Sequence, residues 1–277
     1  MKLKLLLERW ELMGFINEIK QNFAKTYFYR YVTISNIQIT LRLRYRRSVL
    51  GFIWTVLAPL LQYMVIGVVF WYASKSQTPN YFAYFFTGSV VFNIFALTLT
   101  RAPGVMLANE HFIKKIYLPK LIYVLNLVLY EIVNFLLSST ALLVLGLVTL
   151  QYKPSLAIFF LPVALLIIIP ALIGISSFLG VAGVYFRDLN YILPPLMQAA
   201  FFLTPIAYTL DVLPERFQKV IMLNPFYYFV ELIRIPVVDQ TLPSLGIIMV
   251  SVFMSVTMFI LGLWTIYKYD NRIVFKL

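Results

Sequence analysis

The stretch R-Y-R-R-S-V-L-G-F-I-W-T-V-L-A-P-L-L, residues 44–61, decides how the whole chain is read. Three arginines, Arg44, Arg46 and Arg47, stand within four positions, and from Gly51 to Tyr72 no charged residue follows. A cationic cluster that gives way to an apolar run long enough to cross hydrocarbon marks the border between a water-facing segment and a membrane span. Gly51, with Ser48 nearby, supplies backbone freedom and close packing at that border.

Composition agrees. Of 277 residues 61% are hydrophobic and 12% charged, against roughly 25% charged in a soluble domain. The apolar surface exceeds what a water-soluble core of this size can hide. Six segments are apolar enough to span: 51–72, 81–100, 121–150, 154–186, 189–210 and 241–267, with Glu131 the one acid inside them. The fourth exceeds one span's minimum, so tilt or a kink at Pro162 or Pro170 is expected. The runs lack the alternation of a membrane β-barrel. The predicted fold is an all-α integral membrane protein with six transmembrane helices. Its expected parts are an N-terminal cytoplasmic and interfacial segment 1–50, a transmembrane domain 51–267 and a cytoplasmic tail 268–277.

The net charge of +12 belongs to topology. Eighteen Lys and Arg fall in 1–50, 101–120, 187–188 and 268–277, and five in the other connections. By the positive-inside rule both termini are cytoplasmic, and nucleic-acid binding loses its support. Lys2 and Lys4 are followed by too short an apolar run before Glu8 and Arg9 for a signal peptide. With no cysteine, thiol catalysis, zinc–thiolate sites and disulfides are excluded. No Walker-type phosphate loop, H-E-x-x-H or G-x-S-x-G occurs. One histidine, His111, reads as a polar contact. An intramembrane Glu131 is a functional candidate by default, or a hydrogen-bonding group between helices.

Three connections are irregular. In 26–47, Ile34, Ile37, Leu41 and Tyr45 oppose Ser35, Gln38, Arg42 and Arg46, which fits a helix lying in the cytoplasmic interface. In 101–120, Pro103 and Pro119 bracket a short basic helix with Lys114 and Lys115 exposed, either a docking element or a plain loop. In 211–243, Phe217, Val220 and Ile221 share one helical face and Phe226, Phe229, Val230 and Ile233 another, with Asn224-Pro225 breaking the chain between. These two short helices either dip back into the membrane or rest on its outer surface. Aromatic pairs Phe85–Phe86 and Phe201–Phe202 are either packing or the wall of a channel for a sliding polymer.

Four segments in this order resemble the membrane subunit of type-2 ABC exporters for cell-surface polysaccharide: 44–61 above, A-N-E-H-F-I-K-K-I-Y-L-P-K at 108–120, Y-F-R-D-L-N-Y-I-L-P-P-L-M-Q-A-A-F-F-L-T-P-I-A-Y at 185–208, and L-N-P-F-Y-Y-F-V-E-L-I-R at 223–234. The resemblance covers about residues 30–267. It implies a homodimeric permease in the inner (cytoplasmic) membrane, served by two copies of a separate cytoplasmic ATPase that holds ATP and Mg, with no cofactor and no catalysis in this chain. Its substrate would be a lipid-linked polysaccharide, O-antigen first; teichoic-acid, capsule or drug/lipid export, or an enzyme on lipid-linked sugars, are the alternatives. The resemblance makes Asn109, Glu110, His111, Phe112, Lys114, Lys115 and Tyr117 the coupling helix, and 211–240 paired re-entrant gate helices. Arg42, Arg44, Arg46 and Arg47 sit at the lipid headgroups, anchoring the corner or attracting a carrier pyrophosphate. The channel or gate candidates are Trp54, Phe85, Phe86, Glu131, Phe201, Phe202, Tyr208, Asn224, Phe226 and Tyr227.

Overall fold

In a computed structural model the chain is described over residues 25–45, 53–74, 80–116, 118–148 and 155–277. Segment 1–24, Arg46, Arg47, Ser48, Gly51 and Tyr117 lie outside the described residues, as does the side chain of Arg44. The described chain is helical, with no strand. The helices are α1 (Arg30–Tyr45), α2 (Ile53–Ser74), α3 (Tyr81–Arg101), α4 (Val105–Ala108), α5 (Glu110–Lys115), α6 (Leu121–Val148), α7 (Leu161–Tyr185), α8 (Leu189–Leu203), α9 (Glu215–Ile221), α10 (Pro225–Arg234), α11 (Leu245–Lys268) and α12 (Asp270–Lys276).

Among the described residues, four helical stretches are long and apolar enough to cross a membrane: Tyr81–Ala108, Leu121–Thr140, Leu156–Tyr185 and Leu245–Lys268. Counting the bent pair α9 and α10 as one span gives five. Helix α2 adds 22 residues without a charge. The sequence places the end of the second span at residue 100, but the helix continues. Pro103 falls in a single 3₁₀ turn, Ala102–Gly104, whose geometry leads directly into α4. A proline at the start of a turn removes an N–H that needs no helical partner, so the rod survives it. The fifth apolar run behaves oppositely. Its helix stops at Leu203 after 15 residues, and Thr204 is extended (φ −99°, ψ 134°) because it precedes Pro205.

Helix α3 is the hub, packing against α2, α6, α7, α8 and α10. Helices α7 and α11 lie in backbone contact. A Cβ on Gly262 would stand 2.5 Å from the Gly174 Cα, and one on Gly174 would stand 2.5 Å from the Phe259 Cα. Small residues permit this approach where lipid supplies no hydrophobic drive. Pro170, inside α7, cannot donate to the carbonyl one turn back. Nearby, Ser255 of α11 donates to the Ile167 carbonyl at 2.5 Å, a neighbour's hydroxyl serving backbone at a membrane proline. Pro162 sits harmlessly in the first turn of α7.

Contacts sort the connections into two ends. At one, Lys120 pairs with Asp270 at 2.8 Å, the Tyr185 and Tyr269 rings meet at 5.7 Å, and Gly183 lies against Pro103. At the other, Tyr81 donates to the Ala207 carbonyl at 2.9 Å and Ser155 to the Gln240 carbonyl at 3.0 Å. This is the grouping that the charge count gives.

Candidate functional site

At the basic end, Asn109 makes the corner between α4 and α5. Its amide donates to the Val105 carbonyl at 2.8 Å, and its own carbonyl receives the N–H groups of Phe112 and Ile113, each at 3.0 Å. Ile113 is buried and anchors the short helix, while His111, Phe112, Lys114 and Lys115 are exposed. Glu110 accepts from Lys114 at 2.6 Å. That hydrogen bond and the ammonium charge hold its carboxyl below the usual carboxylate range. The result is a protruding knob with two ammonium groups and one bare aromatic ring.

Glu131 lies ten residues into α6, and it is 1% exposed. Its carboxylate pairs with Arg101 and accepts a hydrogen bond from Asn134 at 3.2 Å. Arg101, read from the sequence as a loop cation, belongs to the continuing α3 rod. Its side chain is 45% exposed, so one partner is buried and the other reaches the surface. The pair ties α3 to α6, which is the structural reading of Glu131.

At the opposite end the structure reveals a cluster that the sequence reading missed. Arg234 is 3% exposed. Its guanidinium pairs with Glu231 one turn earlier in α10, donates through Nη1 to the Pro205 carbonyl at 2.6 Å, and lies 3.9 Å from the centre of the Tyr84 ring. Tyr84 in turn donates its hydroxyl toward the Pro205 and Tyr208 carbonyls, at 3.1 and 3.2 Å. Asn224 caps α10 by accepting from the Phe226 N–H at 3.0 Å, and its amide donates to Thr204 Oγ1 at 2.9 Å. Four side chains from α3 and the α10 region thus hold the non-helical elbow 204–208. The available signal was Glu231 three residues before Arg234 inside an apolar run. An acid and a base one turn apart on such a helix satisfy each other when buried.

The aromatic candidates divide. Phe85 and Phe86 are buried against Tyr81, Phe82 and each other, inside the chain and away from any surface. Phe201 and Phe226 pack edge-on against Phe92, at 5.5 and 5.4 Å, and Phe226 also meets Phe95. Phe202 is exposed, and its carbonyl receives the Tyr208 hydroxyl at 3.0 Å. Tyr227 is half-buried beside Tyr228, and Trp54 is exposed. On α10, Phe229, Val230 and Ile233 are buried as their spacing predicts. On α9 only Ile221 is buried, and Phe217 and Val220 are exposed. The α9–α10 bend is 89°. On α1 the inward line is Thr33, Ile37 and Leu41, with Ile34 and Arg42 exposed. An apolar cleft of 160 Å³, lined by Thr87, Val91, Phe135, Ser139, Leu165 and Val237, opens between α3, α6, α7 and the end of α10.

The sequence profile described as ABC-2 type transporter matches residues 31–238. The chain is 30% identical over 201 residues to the O-antigen export system permease protein RfbA of Myxococcus xanthus, covering 72% of this chain and 77% of that one. It is 31% identical over 186 residues to the protein of the same name from Klebsiella pneumoniae, covering 67% and 71%. The polysialic acid transport protein KpsM of Escherichia coli is 22% identical over 223 residues, covering 79% and 86%.

Proposed function

The chain belongs to the ABC-2 type transporter family as a multi-pass permease subunit of an exporter, and on that premise we propose that it carries a lipid-linked polysaccharide, O-antigen first, from the cytoplasmic to the outer face of the inner membrane. It is a transport subunit, and ATP is bound by a separate ATPase. The observation that carries the cargo is the run of 30–31% identity to two permeases named for O-antigen export. The weaker likeness to a polysialic acid transporter favours a capsular polysaccharide as the second reading.

In this reading six spans, α2, α3, α6, α7, α8 with its elbow, and α11, place both termini in the cytoplasm. Two copies form the permease, and two ATPase copies dock beneath them. The segment around α1, with Arg42, Arg44, Arg46 and Arg47, lies at the cytoplasmic headgroups, where cations attract anionic lipid and a carrier's phosphates. The knob of α5 enters the ATPase. Exposed Phe112, Lys114 and Lys115 on a buried Ile113 anchor support that role. The bent pair α9–α10 dips back from the outer side and gates the exit. Its support is the 89° bend, the length of each piece, and the side-chain hydrogen bonds that satisfy its cap and the elbow. Exposed Phe202 and Trp54 and half-buried Tyr208, rather than buried Phe85 and Phe86, are the candidates to meet the glycan. ATP binding closes the ATPases and biases a two-state gate.

The test is deletion of the gene followed by extraction of cytoplasmic lipid-linked glycan. Accumulation with loss of surface glycan is expected, reversed by the wild-type gene. Unchanged surface glycan without accumulation refutes the cargo.

A further inference from the structure

We infer that Arg234 is a positioning residue that fastens the exit elbow 204–208 and the second outer helix, α10, to the far end of the same rod that carries the ATPase-side knob. This rests on the export reading above. The rod is Tyr81–Ala108, 28 residues, about 42 Å at 1.5 Å per residue. At its basic end it turns at Asn109 directly into α5. At its outer end it presents Tyr81 and Tyr84. Tyr81 donates to the Ala207 carbonyl and Tyr84 to those of Pro205 and Tyr208. Arg234 closes the set from α10, with a hydrogen bond to the Pro205 carbonyl, its ion pair with Glu231, and the Tyr84 ring against its face.

Stability alone does not explain an arginine here. Replacing a buried ion pair with apolar residues of similar volume is often neutral or stabilising. What a guanidinium supplies is direction. Its rigid planar fork bonds two partners in its plane while its face stacks on a ring, which an ammonium cannot do together. The three partners belong to three elements: α10 itself, the elbow and α3. A displacement of α3 at the knob therefore reaches the elbow and α10 as one body. Gly88, one turn along α3, completes the fit. A Cβ there would lie 3.3 Å from the Ile206 Cγ2 and 3.7 Å from the Ile206 Cα, with Arg234 Nη1 also at 3.7 Å.

The experiment uses the permease with its ATPase, in cells making their own glycan. Arg234→Gln is expected to lower surface glycan by about fivefold or more, the lower end of coupling between distant sites, while ATPase co-purification and ATP hydrolysis hold. Tyr84→Phe, which keeps the ring and removes the hydroxyl shared between the Pro205 and Tyr208 carbonyls, is expected to fall between wild type and Arg234→Gln. The chain has no cysteine, so Gly88→Cys with Ile206→Cys gives one defined pair at disulfide reach. Added to Arg234→Gln, the pair is expected to raise export when oxidised and to lose that gain when reduced. Wild-type export by Arg234→Gln overturns the inference, as does a disulfide that forms without raising export. If Arg234→Gln fails to accumulate, wild-type export by Tyr84→Phe overturns it instead. Failure of the export reading looks different, because then the wild-type gene itself leaves the lipid-linked glycan unchanged.

Discussion

Replacing Gly262 with alanine should separate α7 from α11 more sharply than one methyl suggests. The added Cβ would stand 2.5 Å from the Gly174 Cα, with the Gly174 carbonyl closer still. Carbon atoms rest at about 3.5–4.0 Å, so the helices must part by about 1 Å, because backbone cannot rotate out of the way. A gap of about 0.5–1 Å forfeits a quarter to a half of each contact's attraction, and α7 and α11 touch along most of their length. Overpacking costs about 1–3 kcal/mol where side chains can adjust; here none can, so about 3 kcal/mol is expected. For a chain of this size that lowers the apparent unfolding temperature by about 6–12 °C. The assay is heating of detergent-solubilised protein followed by size-exclusion of what stays monodisperse. The control is Gly246→Ala in the first turn of the same helix. There the nearest atom to the new Cβ is Ser244 Oγ at 3.9 Å, and stability should hold or rise by about 0.5–1 kcal/mol. Equal unfolding temperatures for the two variants would refute the claim that backbone contact holds this helix pair.

Three further outcomes are expected. Arg101→Gln should destabilise by removing the cation that pairs with a buried carboxylate, and Glu131→Gln by clearly less, since Arg101 already reaches the surface; thermal unfolding checks the order, and the reverse order contradicts Glu131 as the buried partner. Asp270→Asn should cost more than the double change Lys120→Met with Asp270→Asn, because Lys120 is buried beside it, measured the same way. Phe112→Ala, or Lys114→Glu with Lys115→Glu, should reduce ATPase co-purification with no shift in permease unfolding temperature; between pH 8 and pH 6 retention should stay flat as far as Glu110 is concerned. Its folded carboxyl lies below the usual range, so its support for α5 is complete above that range and lost only as acid reaches the lowered value.

Much of this architecture is legible in the chain because hydrocarbon tolerates few charges. Apolar length marks α2, α3, α6, α7 and α11, and cation placement sorts the connections into the two ends that Lys120–Asp270 and Tyr81–Ala207 contacts define. The apolar spacing of α10 likewise gives its buried face. What failed did so where one residue has two readings. Pro103 looks like a helix end yet sits where a turn loses nothing, so Arg101 was counted as a loop cation and the partner of Glu131 went unseen. Thr204-Pro205 lies in an uncharged run, so charge counting carried the fifth span past the point where backbone sterics stop it. Arg234 counts among the five cations of the other connections, and its buried place escapes the sequence because its acceptor, the Pro205 carbonyl, stands 29 residues earlier; no local pattern encodes that distance. Phe85 and Phe86 lie on α3, which neighbours surround, whereas Phe202 lies on α8, where many side chains are exposed; both helices read as equally apolar runs.

The short α8 and its elbow have a consequence for how this end of the chain is altered over generations. Where the crossing is helical, its backbone bonds to itself, and exchanging a side chain leaves its course intact. From Thr204 to Tyr208 the carbonyls of Pro205, Ala207 and Tyr208 are held by donors from outside the segment: Tyr81, Tyr84 and Arg234. The path of this segment is therefore written in separate, individually replaceable residues. On the export reading proposed above, single substitutions at these donors are expected to reshape the exit for a glycan of different girth while the helices beneath keep their geometry, so an engineer seeking a wider or narrower cargo should begin there.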